Sequence, residues 1–400
     1  MAAADVGRRL ADQIRRAGPI TFAEFHGAAV DAFFGEGRGA GRAGRDFITS
    51  PEVGSLFGTL VARALDEAWR RLADPDPFVL VDAGGGRGRL LADVLRARPA
   101  CSRALRAVLV ERSPALRDEA RAVLDLEPAA VALGPFARDA LDEPAEPILR
   151  SGPVVTALRD LPAVALTGVV AANELLDNLA VRLVERRDGG WAEVRVALAH
   201  DDSRFEELLV EAPADLAGVA DELAGDAVVR HGDRLPIPAA AGHWLAHVAT
   251  TLPRGELWII DYADETAGLL SRGPNGPSGW LRTYRSHGRG TSPLDAPGEQ
   301  DVTCDVALPW LRRAAARAGF TVQHETTQAD WLRGLGLDEL VGAGRQRWDA
   351  GAHRGDLEAI RGRSTALEGA ALTDPAGLGA HHVMLLGRGE GRGPARPPAG

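Results

Sequence analysis

The chain has 400 residues, of which 45% are hydrophobic and 26% charged, a composition typical of a globular protein with one large domain or two ordinary ones. Its formal net charge of -10 argues against a broad electrostatic grip on nucleic acid, and no apolar run approaches the ~20 residues of a membrane helix. Two cysteines, Cys101 and Cys304, exclude a disulfide framework and a cysteine-rich zinc site, so we expect a reducing, cytoplasmic setting.

The first part of the chain predicts helices. Two helical stretches span 5–35, and Thr21 is the expected N-cap of the second, with Glu24 completing a capping box. A flexible glycine-arginine loop follows. The segment "SPEVGSLFGTLVARALDEAWRRLA" then predicts one long helix, capped by Ser50 and with Pro51 in its first turn.

From Phe78 onward, short apolar strands alternate with helical patterns. Strands are predicted at 78–83, 106–111, 153–158, 167–172, 255–261, 320–327 and 382–387. Helices are predicted at 88–97, 114–124, 239–252 and 304–318. This alternation favours an α/β fold with a mostly parallel sheet covered by helices on both faces.

Long segments interrupt the alternation. Alternating residues around Gly189-Gly190 predict a β-hairpin over 181–198. The segment 264–300 is rich in Gly, Pro, Ser and Arg without a period, which predicts either a lid over the site or a disordered segment. The last residues, 389–400, have the low-complexity composition of a disordered tail.

The segment "VDAGGGRGR" after the first predicted strand indicates a ligand turn. A triphosphate-binding P-loop needs a lysine, and the chain contains none. A dinucleotide fingerprint needs a third glycine where Arg89 stands. The remaining pattern is an acid followed by glycines at alternate positions: Asp82, Gly84, Gly86 and Gly88.

An acid before the turn would repel a pyrophosphate and attract an ammonium or hydroxyl group. Glu111, at the end of the next strand, is placed to accept hydrogen bonds from ribose hydroxyls. A ligand with a ribose, an amino group and no phosphate fits S-adenosyl-L-methionine. The alternative is that the glycines form only a tight strand-to-helix turn.

A second group of polar residues follows the fourth predicted strand in "AANELLDNLAVR". Asn173, predicted to contact the cofactor, ends the strand, and Glu174 and Asp177 follow as predicted catalytic acids. Asp261 ends the fifth strand, where it could be catalytic or orient a neighbour. The alternative is that Asn173 is a turn residue and that Glu174 and Asp177 begin a solvated helix. The histidines show no metal-ligand spacing, so no metal site is predicted.

These motifs together resemble the MidA-like class I S-adenosylmethionine-dependent methyltransferases, which include the mitochondrial complex I assembly protein arginine methyltransferase. The segments that carry the resemblance are "GPITFAEF", "GRDFITSPEVGSLFG", "VDAGGGRGRLLADVL", "VLVERSPALR", "AANELLDNLAVR", "IIDYADE", "LRTYRSH", "GEQDVTCDVALPWL" and "TQADWLRGLGL". They occur in family order over roughly residues 15–390.

The resemblance implies a seven-stranded methyltransferase core at 73–388, with insertions at about 181–235 and 264–300, and an N-terminal helical cap at 1–72. It also implies that Thr49 and Glu52 lie near the cofactor. The chain departs from the family at "FFGEGRGAGRAG", where a tyrosine-rich stretch is usual, and at Ala180, where proline is common.

Protein arginine methylation is therefore the predicted activity. The other interpretations are methylation of a small molecule and a non-catalytic assembly factor that keeps the cofactor fold. The predicted partner is a protein substrate or a small acceptor, with no nucleic acid and no membrane. A homodimer is a further prediction.

Overall fold

The computed structural model describes residues 3–38, 49–134, 151–276, 278–285, 288–354 and 356–389. Most of the predicted glycine-arginine loop lies outside these ranges. So does the predicted tail at 389–400, apart from its first residue.

The helices and strands have the following bounds in chain order. The helices are α1 Ala3–Ala17, α2 Phe22–Gly35, α3 Ser50–Val53, α4 Ser55–Arg71, α5 Arg89–Ala97, α6 Pro114–Ala120, α7 Ala129–Leu133, α8 Ala214–Ala224, α9 Ala239–Thr251, α10 Thr266–Arg272, α11 Leu308–Arg317, α12 Gln328–Gly334, α13 Leu337–Gly351 and α14 Leu357–Leu372. The strands are β1 Ile20–Thr21, β2 Phe78–Ala83, β3 Leu105–Val110, β4 Val154–Leu158, β5 Thr167–Asn173, β6 Arg182–Arg187, β7 Gly190–Leu198, β8 Phe205–Glu211, β9 Arg234–Ile237, β10 Arg254–Asp261, β11 Ala263–Asp264, β12 Leu281–Arg285, β13 Gly288–Arg289, β14 Asp301–Cys304, β15 Val306–Ala307, β16 Thr321–Thr327 and β17 His382–Arg388.

The chain forms two compact units. The sheet unit comprises Ile48–Asn173, His247–Ile260 and Gly319–Gly400, and the accessory unit comprises Met1–Phe47, Glu174–Ala246 and Asp261–Ala318. This division differs from the predicted boundaries, because α3 and α4 belong to the sheet unit. The role of an N-terminal cap in cofactor binding stays a prediction.

The sheet unit contains the predicted α/β architecture. Within the described residues, its sheet has seven strands in the order β16-β17-β10-β5-β2-β3-β4. β10, β5, β2, β3 and β4 run parallel, and β16 is antiparallel to β17. β2 and β3 are buried along their whole length, which explains why they are continuous apolar runs in the sequence.

The predicted long helix near residue 50 is wrong in two details. It is interrupted at Gly54, so α3 and α4 are separate helices. Ser50 does not cap α3. Thr49 occupies the N-cap position, and the buried Ser50 hydroxyl instead donates a 2.9 Å hydrogen bond to Oε1 of Gln328.

A residue far away in the chain caps α4. The carboxyl group of Glu368, on α14, lies where a side chain at position 54 would be, and its Oε2 accepts a 2.9 Å hydrogen bond from the Leu56 N–H. Glycine at position 54 therefore makes room for a carboxylate that satisfies one of the open N–H groups at the start of α4.

The sequence did not predict α13 and α14. These two helices pack together closely, and a side chain at Gly362 would collide with the carbonyl of Gly344. Glycine is required where the two helices pack closely, but it also has a low helix propensity. The sequence pattern therefore did not indicate helices here.

The accessory unit contains the predicted hairpin and capping box. β6 and β7 pair antiparallel with Arg187 opposite Gly190, so the turn is Asp188-Gly189, one residue earlier than predicted. Thr21 and Glu24 form the capping box at the start of α2. Together with β1, β8 and β9, the hairpin forms a five-stranded sheet of described residues.

The interpretation of 264–300 as a disordered segment is wrong for its described part, and its role as a lid stays a prediction. The described part of this segment contains α10, β12 and β13, and β12 pairs with both β13 and β14. The predicted helix at 304–318 begins later, at Leu308, because β14 and β15 occupy residues before it. Across the described ranges, no helix combines the length and the apolar character that a bilayer crossing requires.

Candidate functional site

The glycine turn, residues 84–88, follows β2 directly in the sheet unit. Gly84, Gly86 and Gly88 have φ values of 73°, 54° and 73°, a left-handed conformation that favours glycine. The N–H groups of Gly84 and Gly85 donate to the carbonyl of Val110 over 2.8 and 3.2 Å. These bonds fix the turn against the carboxyl end of β3.

Close contacts also require glycine in this turn. A Cβ atom at Gly85 would lie 2.5 Å from Oδ2 of Asp82, and one at Gly88 would lie 2.5 Å from Cδ1 of Leu124. At Gly86, a Cβ atom would meet no atom within 4 Å. The turn is therefore packed on its inner side and open at Gly86, as a turn that admits a ligand should be.

Asp82 is the buried acid of the turn. Its side chain is 2% exposed, and Oδ2 has no hydrogen-bond partner among the described residues. Burial, with a further contribution from the charge of Glu111, raises the pKa of Asp82 to about 7. A buried acceptor without a partner is costly unless a ligand supplies a donor.

Glu111 lies just beyond β3 and is joined to the same turn. Its Oε1 accepts a 2.7 Å hydrogen bond from the Ser113 N–H, and its Oε2 accepts a 3.1 Å bond from the Gly86 N–H. Burial raises the pKa of Glu111, and these two hydrogen bonds oppose the rise. A carboxylate has more lone pairs than these two bonds use, so each oxygen can accept a further hydroxyl.

Two more predicted cofactor residues lie at the start of α3 and just before it. Glu52 forms an ion pair with Arg87, inside the glycine turn, with 2.9 Å between Oε1 and Nη2. Thr49 precedes α3, and its carbonyl accepts a 2.9 Å hydrogen bond from the Glu52 N–H. The ion pair brings α3 to the glycine turn, a relation that sequence spacing alone does not indicate.

Asn173 is the last residue of β5. Because β5 pairs with β2, with Ala172 opposite Ala83, Asn173 lies at the sheet edge from which the glycine turn starts. The hydrogen-bond acceptors at this edge suit S-adenosyl-L-methionine. A partnerless carboxylate oxygen on Asp82 fits an amino group, Glu111 fits ribose hydroxyls, and carboxylates at both positions disfavour a phosphate.

The acid turn, residues 174–178, opens the second segment of the accessory unit. Glu174 has a φ of 52°, which is unusual for a residue other than glycine, and a short 3₁₀ helix spans Leu176–Asn178. Backbone strain of this kind persists where the surrounding structure enforces it, and it is concentrated at functional sites.

Asp261 holds the acid turn in place. Its Oδ2 accepts hydrogen bonds from the N–H groups of Leu176, at 2.8 Å, and Asp177, at 3.3 Å. Its Oδ1 accepts a 2.8 Å bond from the Tyr262 N–H. Burial and the charges of Asp177 and Glu174 raise the pKa of Asp261 well above its ordinary range. Of the two roles considered for Asp261, these bonds favour orienting a neighbour.

Asp177 is the buried acid of this turn. It is 3% exposed, and its Oδ1 has no hydrogen-bond partner among the described residues. Burial raises the pKa of Asp177 to about 7, although the positive charge of Arg282 lowers it, and Asp305 adds to the rise.

Sequence reasoning missed Arg282 and Asp305. Arg282 falls in the segment 264–300, for which a lid or a disordered segment was predicted, but it lies in β12 and is only 7% exposed. Its guanidinium pairs with Asp305 and lies 4.6 Å from the ring centre of Tyr262. The available signal was the placement of this arginine between Leu281 and Thr283, in a strand-like pattern.

The structure thus groups the predicted cofactor residues around the glycine turn, and the predicted catalytic acids around Asp261. In the part of the chain that is described, no set of three His, Cys, Asp or Glu side chains is arranged to hold a metal ion.

Comparisons with known proteins agree with this description. A family model described as "Putative S-adenosyl-L-methionine-dependent methyltransferase" matches residues 60–326. The mitochondrial protein arginine methyltransferase NDUFAF7 of Bos taurus is 29% identical, over 83% of this chain and 73% of its own length. Its homolog in Drosophila melanogaster is 26% identical, over 95% of this chain and 84% of its own.

A solved structure gives the same assignment. A Burkholderia thailandensis protein bound to S-adenosyl-homocysteine has 25% sequence identity and a TM-score of 0.76, covering 96% of this chain and 92% of its own. These findings confirm the predicted fold class and cofactor, and with the family match they establish the resemblance noted in the sequence. The chain belongs to the family of S-adenosyl-L-methionine-dependent methyltransferases, with S-adenosyl-L-methionine as its cofactor.

Proposed function

We propose that this methyltransferase acts on arginine side chains of a protein substrate. The acid turn is the observation that carries this proposal, because it offers a strained Glu174 and a buried, partnerless oxygen on Asp177. Carboxylates pair with a guanidinium through parallel hydrogen bonds, which suits an arginine acceptor better than an apolar one. Relatives named as protein arginine methyltransferases support the same acceptor.

The cofactor-binding roles fall to the residues around the glycine turn. Asp82 would accept a hydrogen bond from the amino group of the cofactor, and Glu111 would accept bonds from its ribose. The left-handed glycines Gly84, Gly86 and Gly88 would let the backbone approach it, with Thr49, Glu52 and Asn173 completing this set. When bound, S-adenosyl-L-methionine supplies an activated methyl group.

The acceptor roles fall to the acid turn. Glu174 would orient the guanidinium, and Asp177 would receive the proton that the acceptor nitrogen loses on methylation. Asp261 would act as a positioning residue, since its oxygens already accept three backbone N–H bonds. None of these roles requires Asp177 to be ionised permanently; a pKa of about 7 suits a group that gains and loses a proton.

The direct test adds the purified protein and labelled S-adenosyl-L-methionine to a lysate from cells that lack the gene, followed by acid hydrolysis of the protein fraction. The expected product is labelled methylarginine. We expect Glu174→Gln to lower turnover by roughly 100-fold or more while leaving cofactor affinity in calorimetry unchanged. Glu211→Gln, at an exposed carboxylate on β8, is the matched control and should keep full turnover.

Other outcomes favour the remaining interpretations. Label confined to the small-molecule fraction would replace the protein acceptor with a metabolite. Full complementation of a deletion strain by Glu174→Gln would favour an assembly factor that acts by binding. The cytoplasmic location and the homodimer stay predictions, and the NDUFAF7 relatives are named as mitochondrial.

A further inference from the structure

One face of the β12–β14 pair is unusually polar for a buried surface. Arg282 lies opposite Thr303, and Tyr284 lies opposite Asp301, in an antiparallel register. Directly opposite residues share a face, and so do residues two apart, so these four side chains lie on the same face. Arg282, Thr303 and Asp301 are all buried.

This face is joined to the acid turn. Nδ2 of Asn178 donates a 3.0 Å hydrogen bond to Oδ1 of Asp301, which fixes the end of the turn to β14. The guanidinium of Arg282 lies over Tyr262, whose N–H donates to Asp261. Asp261 in turn accepts the N–H groups of the acid turn, so Arg282 and the turn share a short chain of contacts.

Arg282 is held rigidly at this point. Its Nη2 forms an ion pair with Asp305, and Asp305 also pairs with Arg272 over 2.8 Å. The Nε of Arg282 is buried and has no hydrogen-bond partner among the described residues. A guanidinium keeps its charge at all physiological pH values, so this one is a fixed positive charge in a region of low dielectric constant.

We propose that Arg282 is a positioning residue of the acid turn, whose buried guanidinium supplies the fixed positive charge that keeps Asp177 able to ionise among neighbouring carboxylates. The inference deepens the proposed function and rests on it for the role of Asp177, but the electrostatic relation itself does not depend on the acceptor.

Several ionisable groups interact electrostatically with Asp177 or with its neighbour Asp261. They are Glu174 on the same turn, Asp261 and Tyr262 at the end of β10, Arg282 on β12, and Cys304 and Asp305 at the end of β14. Arg282 is the one positive charge in this set. Without the charge of Arg282, the negative charges of neighbouring carboxylates such as Asp305 are no longer offset. Ionisation of Asp177 then becomes less favourable.

The test follows the protonation of Asp177 by infrared spectroscopy. The carboxyl absorption is recorded from pH 5 to 11, and the spectrum of the matching Asp177→Asn protein is subtracted. We expect Arg282→Met to raise the titration midpoint by about one to three pH units. Arg282→Lys keeps a positive charge and should give a smaller rise. Arg272→Met, which also loses a pair with Asp305, is the control and should leave the midpoint unchanged.

Each outcome decides the proposal. If Arg282→Met moves the midpoint no further than Arg272→Met does, the proposal is wrong, and a lower melting temperature would then indicate a structural role. If Arg282→Met does not fold, the smaller shift expected for Arg282→Lys decides in the same way. The spectra require no methyl acceptor, so a shifted midpoint without methylarginine would reject the acceptor assignment and leave the role of Arg282 standing.

Discussion

The glycine turn and the acid turn both follow a buried strand. Each has a carboxylate whose pKa is raised to about 7 by burial, Asp82 just before the glycine turn and Asp177 within the acid turn. They differ in what holds them. The residues that form the glycine turn are close in sequence. Its glycines, its acids and the N–H groups that donate to Glu111 all lie within a span of 32 residues, from Asp82 to Ser113. The acid turn is held by Asp261, and its electrostatics depend on Arg282 and Asp305, far along the chain.

The two turns differ in which groups stabilise the ionised form of their buried carboxylates. Backbone N–H groups stabilise the ionised form of Glu111 in the glycine turn, whereas a distant arginine does so for Asp177 in the acid turn. Local backbone donors are set by the turn itself. A charge partner on another strand is set by tertiary packing, so one substitution can remove it while leaving the turn intact.

The largest expected effect concerns the stability of the acid turn. The pKa of Asp177 is raised from an ordinary 3.8 to about 7, so wild-type protein loses stability as pH rises through this interval, up to roughly 4 kcal/mol. Asp177→Asn removes the ionisation, so we expect the variant to be more stable than wild type at pH 8 and about equal to it at pH 4. Urea unfolding at both pH values measures this.

A control with the opposite sign is available. Ser203 lowers the pKa of the exposed Asp201, so Asp201→Asn should slightly lower stability at pH 8. An equal gain from Asp177→Asn at pH 4 and pH 8 would contradict the description of Asp177 as a buried titrating acid.

The second prediction concerns Glu111. In Glu111→Gln, an amide nitrogen replaces one of two acceptors, so either the Ser113 N–H or the Gly86 N–H loses its partner. The amide nitrogen also cannot accept a ribose hydroxyl, so we expect a loss of about 1–3 kcal/mol of binding free energy, roughly 10- to 100-fold in cofactor affinity by calorimetry. Unchanged affinity would reject Glu111 as a ribose-binding residue. Asp118→Asn, at an exposed carboxylate on α6, should bind the cofactor as wild type does.

The smallest expected effect is a loss of stability in Gly86→Ala, which tests backbone strain in the glycine turn apart from any steric clash. A side chain at Gly86 has open space but a φ of 54°, so Gly86→Ala should cost about 1–2 kcal/mol through strain alone. Gly189→Ala also has open space, without a left-handed φ, and should be nearly neutral. Thermal unfolding compares the two, and an equal loss in both would argue against strain at Gly86.

The strands of the sheet unit were predicted from the sequence to within one residue at each end. For β2 and β3 the reason is burial on both faces, which makes them largely apolar runs. The cofactor turn was predictable for a related reason, since its glycines and acids are neighbours in the chain. Glu52 was assigned through family resemblance, and its ion pair with Arg87 gives a physical basis for that assignment.

What the sequence did not reveal depends on distant residues. Nothing near Ser50 indicates Gln328, nothing near Gly54 indicates Glu368, and Arg282 resembled a solvated arginine in a polar loop. The separation of two compact units was also hidden, because the chain passes between them after Asn173 and after Ile260, inside continuous patterns.

The cap that Glu368 provides to α4 has a consequence for biosynthesis. Residue 54 leaves the ribosome more than 300 residues before residue 368, so α4 has no carboxylate at its N-terminus during most of translation. Strands β16 and β17, at one end of the sheet, are also made last. The sheet unit therefore completes itself only after the whole accessory unit has been made, and until α14 is made the chain has the cofactor turn without the carboxylate that caps α4.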